Sequence, residues 1–144
     1  MSVATGHHFA RPGNRFWPAL HRSGFTPRQL HPSEQGELLN GGFGITNLVN
    51  RGTATADELA SEEFRRGRTR LAAKLRRFRP RTVAFLGVGA YCHAFGLRNA
   101  PIGPQSDKFE GAEVWVLPNP SGLNASYQLP ELVRLFRQLR LRAD

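Results

Sequence analysis

Thr82-Val83-Ala84-Phe85-Leu86-Gly87-Val88-Gly89 is the stretch whose reading decides the fold class. Its first five residues make a continuous apolar run, which a strand covered on both faces requires; a half-solvated strand would alternate polar and apolar side chains. The Gly-Val-Gly that follows predicts a tight turn from strand into helix, with the helix over 90–95. It is not a dinucleotide fingerprint, because Cys92 stands where the third glycine of G-x-G-x-x-G would be.

Working outward, a polar stretch rich in Gly and Pro covers 96–111, and Glu113–Leu117 (EVWVL) predicts a second buried strand. That strand runs into Pro118-Asn119-Pro120-Ser121-Gly122-Leu123. The last element, 129–141, places Leu129, Leu132, Val133, Phe136 and Leu139 on one helical face and Arg134, Arg137 and Arg140 away from it. Upstream, Asp57 is placed to N-cap a long helix in which Phe64, Leu71, Leu75 and Phe78 make an apolar stripe. Arg65, Arg66, Arg68, Arg70, Arg76 and Arg77 fill its other faces, and Pro80 ends it. Phe43 to Val49 predicts a short strand. Asn14 opens a helix over 15–23 carrying Phe16, Trp17 and Leu20, while Thr26-Pro27 and Pro32-Ser33 each start a short turn or helix. Strands alternating with helices mean α/β, and 144 residues fit one domain. Ligands in open α/β sheets bind beyond the carboxyl ends of the strands, so chemistry is sought in the loops after Leu48, Leu86 and Leu117.

Composition is that of a globular chain, with 40% hydrophobic, 10% aromatic and 22% charged residues. The charge balance is unusual: 20 Lys plus Arg against 11 Asp plus Glu give +9, which points to a polyanionic partner. An arginine-rich coding bias is the plain alternative, since Lys74 and Lys108 are the only lysines. No apolar run is long enough to span a bilayer, and Met1 to Ala10 has no apolar leader core, so a cytoplasmic location is expected. Cys92 is the single cysteine, which excludes an internal disulfide and a thiolate metal cluster. His7, His8, His21, His31 and His93 show no metal-ligand spacing, and neither metal nor cofactor is expected. Cys92 and His93 are neighbours on a helix and point about 100° apart, which favours a structural role over a nucleophile and its base. Glu62-Glu63 on an arginine-rich helix reads as ordinary charge pairing.

The segment after the second strand stands apart, because it couples two rigid prolines, a small flexible pair and an apolar side chain. One reading is a tight turn with a buried Leu123. The other is a rigid loop that pushes Leu123 into a base stack while backbone N–H groups near Ser121 and Gly122 meet phosphates.

Three words of the sequence carry a resemblance: Phe9-Ala10-Arg11-Pro12-Gly13-Asn14-Arg15-Phe16-Trp17, Gly44-Ile45-Thr46-Asn47-Leu48-Val49, and Val116-Leu117-Pro118-Asn119-Pro120-Ser121-Gly122-Leu123. In this order and spacing the chain resembles the mismatch-specific uracil-DNA glycosylases, bacterial relatives of thymine-DNA glycosylase within the uracil-DNA glycosylase superfamily. The resemblance implies a three-layer α/β fold with a central parallel sheet, and hydrolysis of the N-glycosidic bond of uracil, or of thymine or etheno-cytosine, opposite guanine in double-stranded DNA. It implies that Phe9 stacks on the flipped base, that Asn119 hydrogen-bonds the base edge, and that Asn47 lies beside the catalytic water. It further implies that Leu123 is the wedge, with Ser121, Gly122 and Asn124 at the DNA backbone and unpaired guanine, and that Asn14 and Arg15 hold the fold and a loop together.

One departure stands beside these matches. The family's first strand ends in Gly-x-Asn-Pro-Gly, whose Asn positions the attacking water, and residues 1–144 contain no such word. The expectation is an N-terminally truncated chain whose first strand would precede Met1. Loss of that central strand would leave the strand around Ile45 without its neighbour, so the chain should fold poorly and be inactive by itself. A start codon placed too far downstream explains this, and so does a degenerate gene product. A basic DNA- or RNA-binding module without catalysis is the alternative function.

Overall fold

The computed structural model describes residues 13–44, 46, 57–120 and 125–143. They form two compact units, one from the described parts of Met1–Asn47 and Asn119–Asp144, the other from those of Leu48–Pro118.

The second unit holds the sheet. Helix α1 of the chain belongs to the first unit (Phe16–Arg22); the second contains α2 (Asp57–Phe78), β1 (Thr82–Leu86), α3 (Val88–Phe95), β2 (Gly103–Pro104) and β3 (Glu113–Leu117). The sheet order is β1-β3-β2, with β1 and β3 parallel and β2 antiparallel on β3. Both apolar runs are therefore strands with the predicted bounds. The pairing of Val83 with Val114 and of Phe85 with Val116 puts these four side chains on one face. Leu71 and Leu75 of α2 and Tyr91 of α3 complete the cluster on that face. The opposite face carries Trp115 and Leu117, exposed by only 4% and 1%, which is why β3 reads as an unbroken apolar run.

Several local departures from expectation appear. Gly103 and Pro104, within the stretch expected to be loop, form the short β2; proline is tolerated there because an edge strand need not donate from every residue. Phe109 and Ala112 exchange backbone hydrogen bonds of 3.0 and 2.9 Å around Glu110-Gly111, both at positive φ, as a two-residue hairpin turn with matching twist demands. Phe78, expected in the apolar stripe of α2, is 64% exposed, because the buried cluster along that helix ends at Leu75. Asp57 begins α2 as its first helical residue. Gly87, at φ +119, makes the turn into α3 that a side chain would resist, and its N–H donates to Leu117 O at 2.7 Å.

The first unit is helical: α1, a 3-10 helix over Pro32–Gly41, and α4 (Leu129–Ala143). Asn14 Oδ1 accepts the Phe16 N–H at 2.9 Å, an Asx turn that leads into α1, whose N-cap is Arg15. Phe16, Trp17, Ala19 and Leu20 are buried, as are Leu132, Leu135 and Phe136 of α4, and the Phe16 and Phe136 rings meet edge-on with centroids 6.1 Å apart. Leu129, Val133 and Leu139 are only half-buried, so the packed stripe of α4 lies slightly to one side of the expected one. Arg140, expected to point away, donates from Nε to Ser23 O at 2.8 Å, and Arg137 donates to Arg22 O at 3.1 Å. Both serve carbonyls that the end of α1 leaves without helical partners, at the negative end of its dipole.

The expected strand over 43–49 does not form in its described residues: Phe43, Gly44 and Thr46 are not in strand. Phe43 instead donates its N–H to Leu38 O at 2.9 Å and packs its ring on Phe25, with centroids 5.2 Å apart. Tertiary contact has overridden β propensity here.

Arg28 grips the 3-10 helix from outside, meeting Glu34 at 2.8 Å and Glu37 at 3.0 Å. The Arg28 hydrogen bond, followed by the His31 N–H, lowers the Glu34 carboxyl from the ordinary 4.5 to about 2. A depressed carboxyl stabilises the fold above its ordinary value, and this contribution is lost as pH falls from 4.5 toward 2. The Glu34 carboxyl carbon followed by NMR should titrate near pH 2 in the parent, and near the ordinary carboxylate range in Arg28→Gln.

Candidate active site at the end of strand β3

The carboxyl end of β3 delivers the chain into Pro118-Asn119-Pro120, where an α/β sheet offers a ligand site. Pro118 and Pro120 are buried, while Asn119 between them is exposed. Two prolines with fixed φ thus hold the backbone on either side of a side chain that reaches outward. An amide at this place can both donate to and accept from one edge of a planar base, which a hydroxyl or carboxylate cannot do in the same plane.

Arg15, just before α1, ties down the chain that follows. Its backbone N–H donates to Pro120 O at 2.9 Å, its Nε to the same oxygen at 3.4 Å, and its Nη1 to Tyr127 O. One guanidinium therefore reaches carbonyls on both sides of 121–124, in keeping with the planar fork of arginine, whose donors lie at fixed angles. Arg15 thus joins the backbone at Pro120 and Tyr127, while Asn14 bonds to the Phe16 N–H; the loop between, 121–124, lies outside the described residues. The Arg15 clamp itself was not legible, because nothing in the spacing of residues 15, 120 and 127 signals that one side chain serves both carbonyls.

Of the residues expected in the site, Asn119 is described; Phe9, Asn47, Ser121, Gly122, Leu123 and Asn124 lie outside the described residues. Cys92 and His93 form no catalytic pair. Cys92 is buried and its thiol is raised by that burial, the opposite of an activated thiolate, while the His93 ring stacks on Phe64 at 5.5 Å. Among the described residues no group of three His, Cys, Asp or Glu side chains could hold a metal ion, and no helix is long and apolar enough to cross a membrane.

An exposed asparagine framed by two buried prolines thus follows β3, in a chain of net charge +9. Residues 1–140 match the protein-family model described as the uracil DNA glycosylase superfamily. Proteins of that superfamily are DNA glycosylases, hydrolases that act on DNA in base-excision repair. The match spans all but the last four residues, and on that ground the chain belongs to the uracil DNA glycosylase superfamily.

Proposed function

We propose that residues 1–144 are one DNA-glycosylase domain of the mismatch-specific kind, which extrudes uracil opposite guanine from duplex DNA in the cytoplasm and hydrolyses its N-glycosidic bond. The observation that carries this reading is Asn119, exposed between two buried prolines at the carboxyl end of β3 in a chain of this superfamily. In the reaction, water attacks the sugar carbon as the bond to the base breaks, leaving a free base and an abasic site. The Asn119 amide would hydrogen-bond the departing base while negative charge develops on it, and Phe9 would stack on the ring. Leu123 would fill the gap in the duplex, with Ser121, Gly122 and Asn124 at the backbone of the unpaired strand, and Asn47 beside the water. No metal or cofactor takes part in this scheme.

In this scheme the water is positioned by the family's Gly-x-Asn-Pro-Gly word, which residues 1–144 do not contain. The test is release of free uracil from a G·U duplex, in chelator, by the 144-residue chain and by the product of the whole open reading frame in which it lies. Release is expected from a product carrying the Gly-x-Asn-Pro-Gly word and little or none without it. A folded product that carries the word and releases nothing would overturn the glycosylase reading.

Leu123 and the charge should separate in the same protein. Leu123→Ala should lower the flipped population by about one to two orders of magnitude, since unstacking costs a few kcal/mol per step. The readout is fluorescence of a 2-aminopurine beside the target, and the salt dependence of binding should stay that of the parent. A silent Leu123→Ala, with arginine substitutions abolishing all binding, would favour the basic-module alternative.

Arg15 should matter to rate without touching substrate. Arg15→Lys keeps the charge but cannot present the planar fork to Pro120 O and Tyr127 O. Single-turnover release should fall by about 10- to 100-fold through misplacement of the loop, with the salt slope unchanged. An unaltered rate would show that the loop holds its shape without the clamp.

A further inference from the structure

From the last turn of α2 toward β1 the chain reads Arg76-Arg77-Phe78-Arg79-Pro80-Arg81, four arginines and one proline beside one aromatic residue, with no acidic residue among them. Arg76 is paired with Glu110 at 3.2 Å. Arg77, Arg79 and Arg81 are exposed, and among the described residues no carboxylate lies within ion-pair distance of them. Phe78 is 64% exposed, and the Arg77 guanidinium lies 5.1 Å from its ring centroid. An exposed phenylalanine normally needs no explanation, but this one lies on the apolar side of an amphipathic helix, past the end of the cluster that buries Leu71 and Leu75.

The segment is also held. Arg79, at φ +50, ends α2 with its N–H on Leu75 O at 2.8 Å, Pro80 fixes the next φ, and Arg81 O accepts the Glu113 N–H at 2.8 Å. The ring and its cations are thus presented on a short span tied to a helix at one end and to the sheet at the other, which lowers the ordering cost of binding.

We propose that Arg77, Phe78, Arg79 and Arg81 form a contact for single-stranded nucleic acid, with Phe78 stacking on an unpaired base and the arginines meeting the flanking phosphates. Charge selects a polyanion, and the ring selects one with accessible base faces, since in a matched duplex those faces are already stacked. A lipid surface fits less well. Membrane-binding faces need several apolar side chains together, and Phe78 is the one large hydrophobic exposed in this segment. This contact is separate in kind from the base-reading role of Asn119 and does not depend on the glycosylase reading.

The test measures binding of the full chain to labelled oligothymidine, to a matched duplex without uracil, and to phosphatidylserine vesicles. Single strand should bind more tightly than duplex. Phe78→Ala should weaken single-strand binding by about 5- to 150-fold, the range for one base stacked on an aromatic ring, and leave duplex binding nearly unchanged. Phe78→Tyr should retain the parent affinity while Phe78→Leu loses it; these two keep the side chain large, so they decide the matter even if the alanine variant folds poorly. Replacing Arg77, Arg79 and Arg81 together by Gln should flatten the salt dependence by about 2 in log–log slope. Phe78→Ala or Phe78→Leu binding oligothymidine like the parent would overturn the proposal, as would binding to vesicles alone. Uracil release from a G·U duplex, measured on the same Phe78 variants placed in a product that carries the Gly-x-Asn-Pro-Gly word, separates the two readings. Release that persists while single-strand binding ignores Phe78 removes only this contact, and absent release with Phe78-dependent binding removes only the glycosylase reading.

Discussion

Asn119→Ala is expected to lower single-turnover release of uracil by about 10²- to 10³-fold, the usual cost of removing one donor aimed at charge that develops in a transition state. Stability should stay within about 0.5 kcal/mol, because the side chain is exposed and the backbone around it is set by Pro118 and Pro120. The experiment uses the open-reading-frame product, with single-turnover release and thermal unfolding measured on the same preparations. Asn119→Asp adds a sharper arm: a carboxylate accepts but cannot donate, and its charge opposes the charge growing on the base, so it should fall at least as far. If Asn119→Ala and Asn119→Asp both kept the parent rate, Asn119 would not be the group that holds the base.

Phe136→Ala is expected to destabilise the first unit by about 3–5 kcal/mol, as truncating a buried aromatic costs both its transfer free energy and the cavity left behind. Phe136 is 1% exposed, and its ring faces Phe16 at the start of α1. The consequence should reach the site, because Arg15 adjoins Phe16 and holds Pro120 and Tyr127 through three hydrogen bonds. Denaturant unfolding should give the loss in stability. Uracil release at a temperature where the variant is still folded should fall as well, in the direction of Arg15→Lys. A loss below about 1 kcal/mol would mean that α4 collapses into the space and the ring is not a keystone of this packing.

Strand β1 and strand β3 were legible to the residue, because a strand covered on both faces must be apolar along its whole length, and few other elements produce five such residues between turn signals. The turn at Gly87 was legible for a similar reason, since only glycine takes φ +119 without strain. Phe78 and the described residues Phe43, Gly44 and Thr46 were misread on the same principle applied too far. Periodicity says which side of a helix is apolar, and β propensity says which residues tolerate a pleat, but neither says how far the partner surface extends. The α2 cluster stops at Leu75, and Phe43 finds Phe25 instead of a neighbouring strand.

In the site, the sequence by itself determined the chemistry available: a Pro-Asn-Pro word after a buried strand, a strongly positive charge, a single cysteine and no metal-ligand spacing follow from residue types and short spacings. Family membership belongs with these, because matching words in a set order survive without any coordinates. The tertiary structure alone decided that Asn119 is exposed while its prolines are buried, that Arg15 joins residues 105 and 112 positions away, and that Phe78 is exposed with the Arg77 guanidinium against its ring. Exposure and long-range hydrogen bonds depend on which surfaces meet after folding, and hydrophobic pattern constrains only the face each element offers, not the partner it meets or where that contact ends.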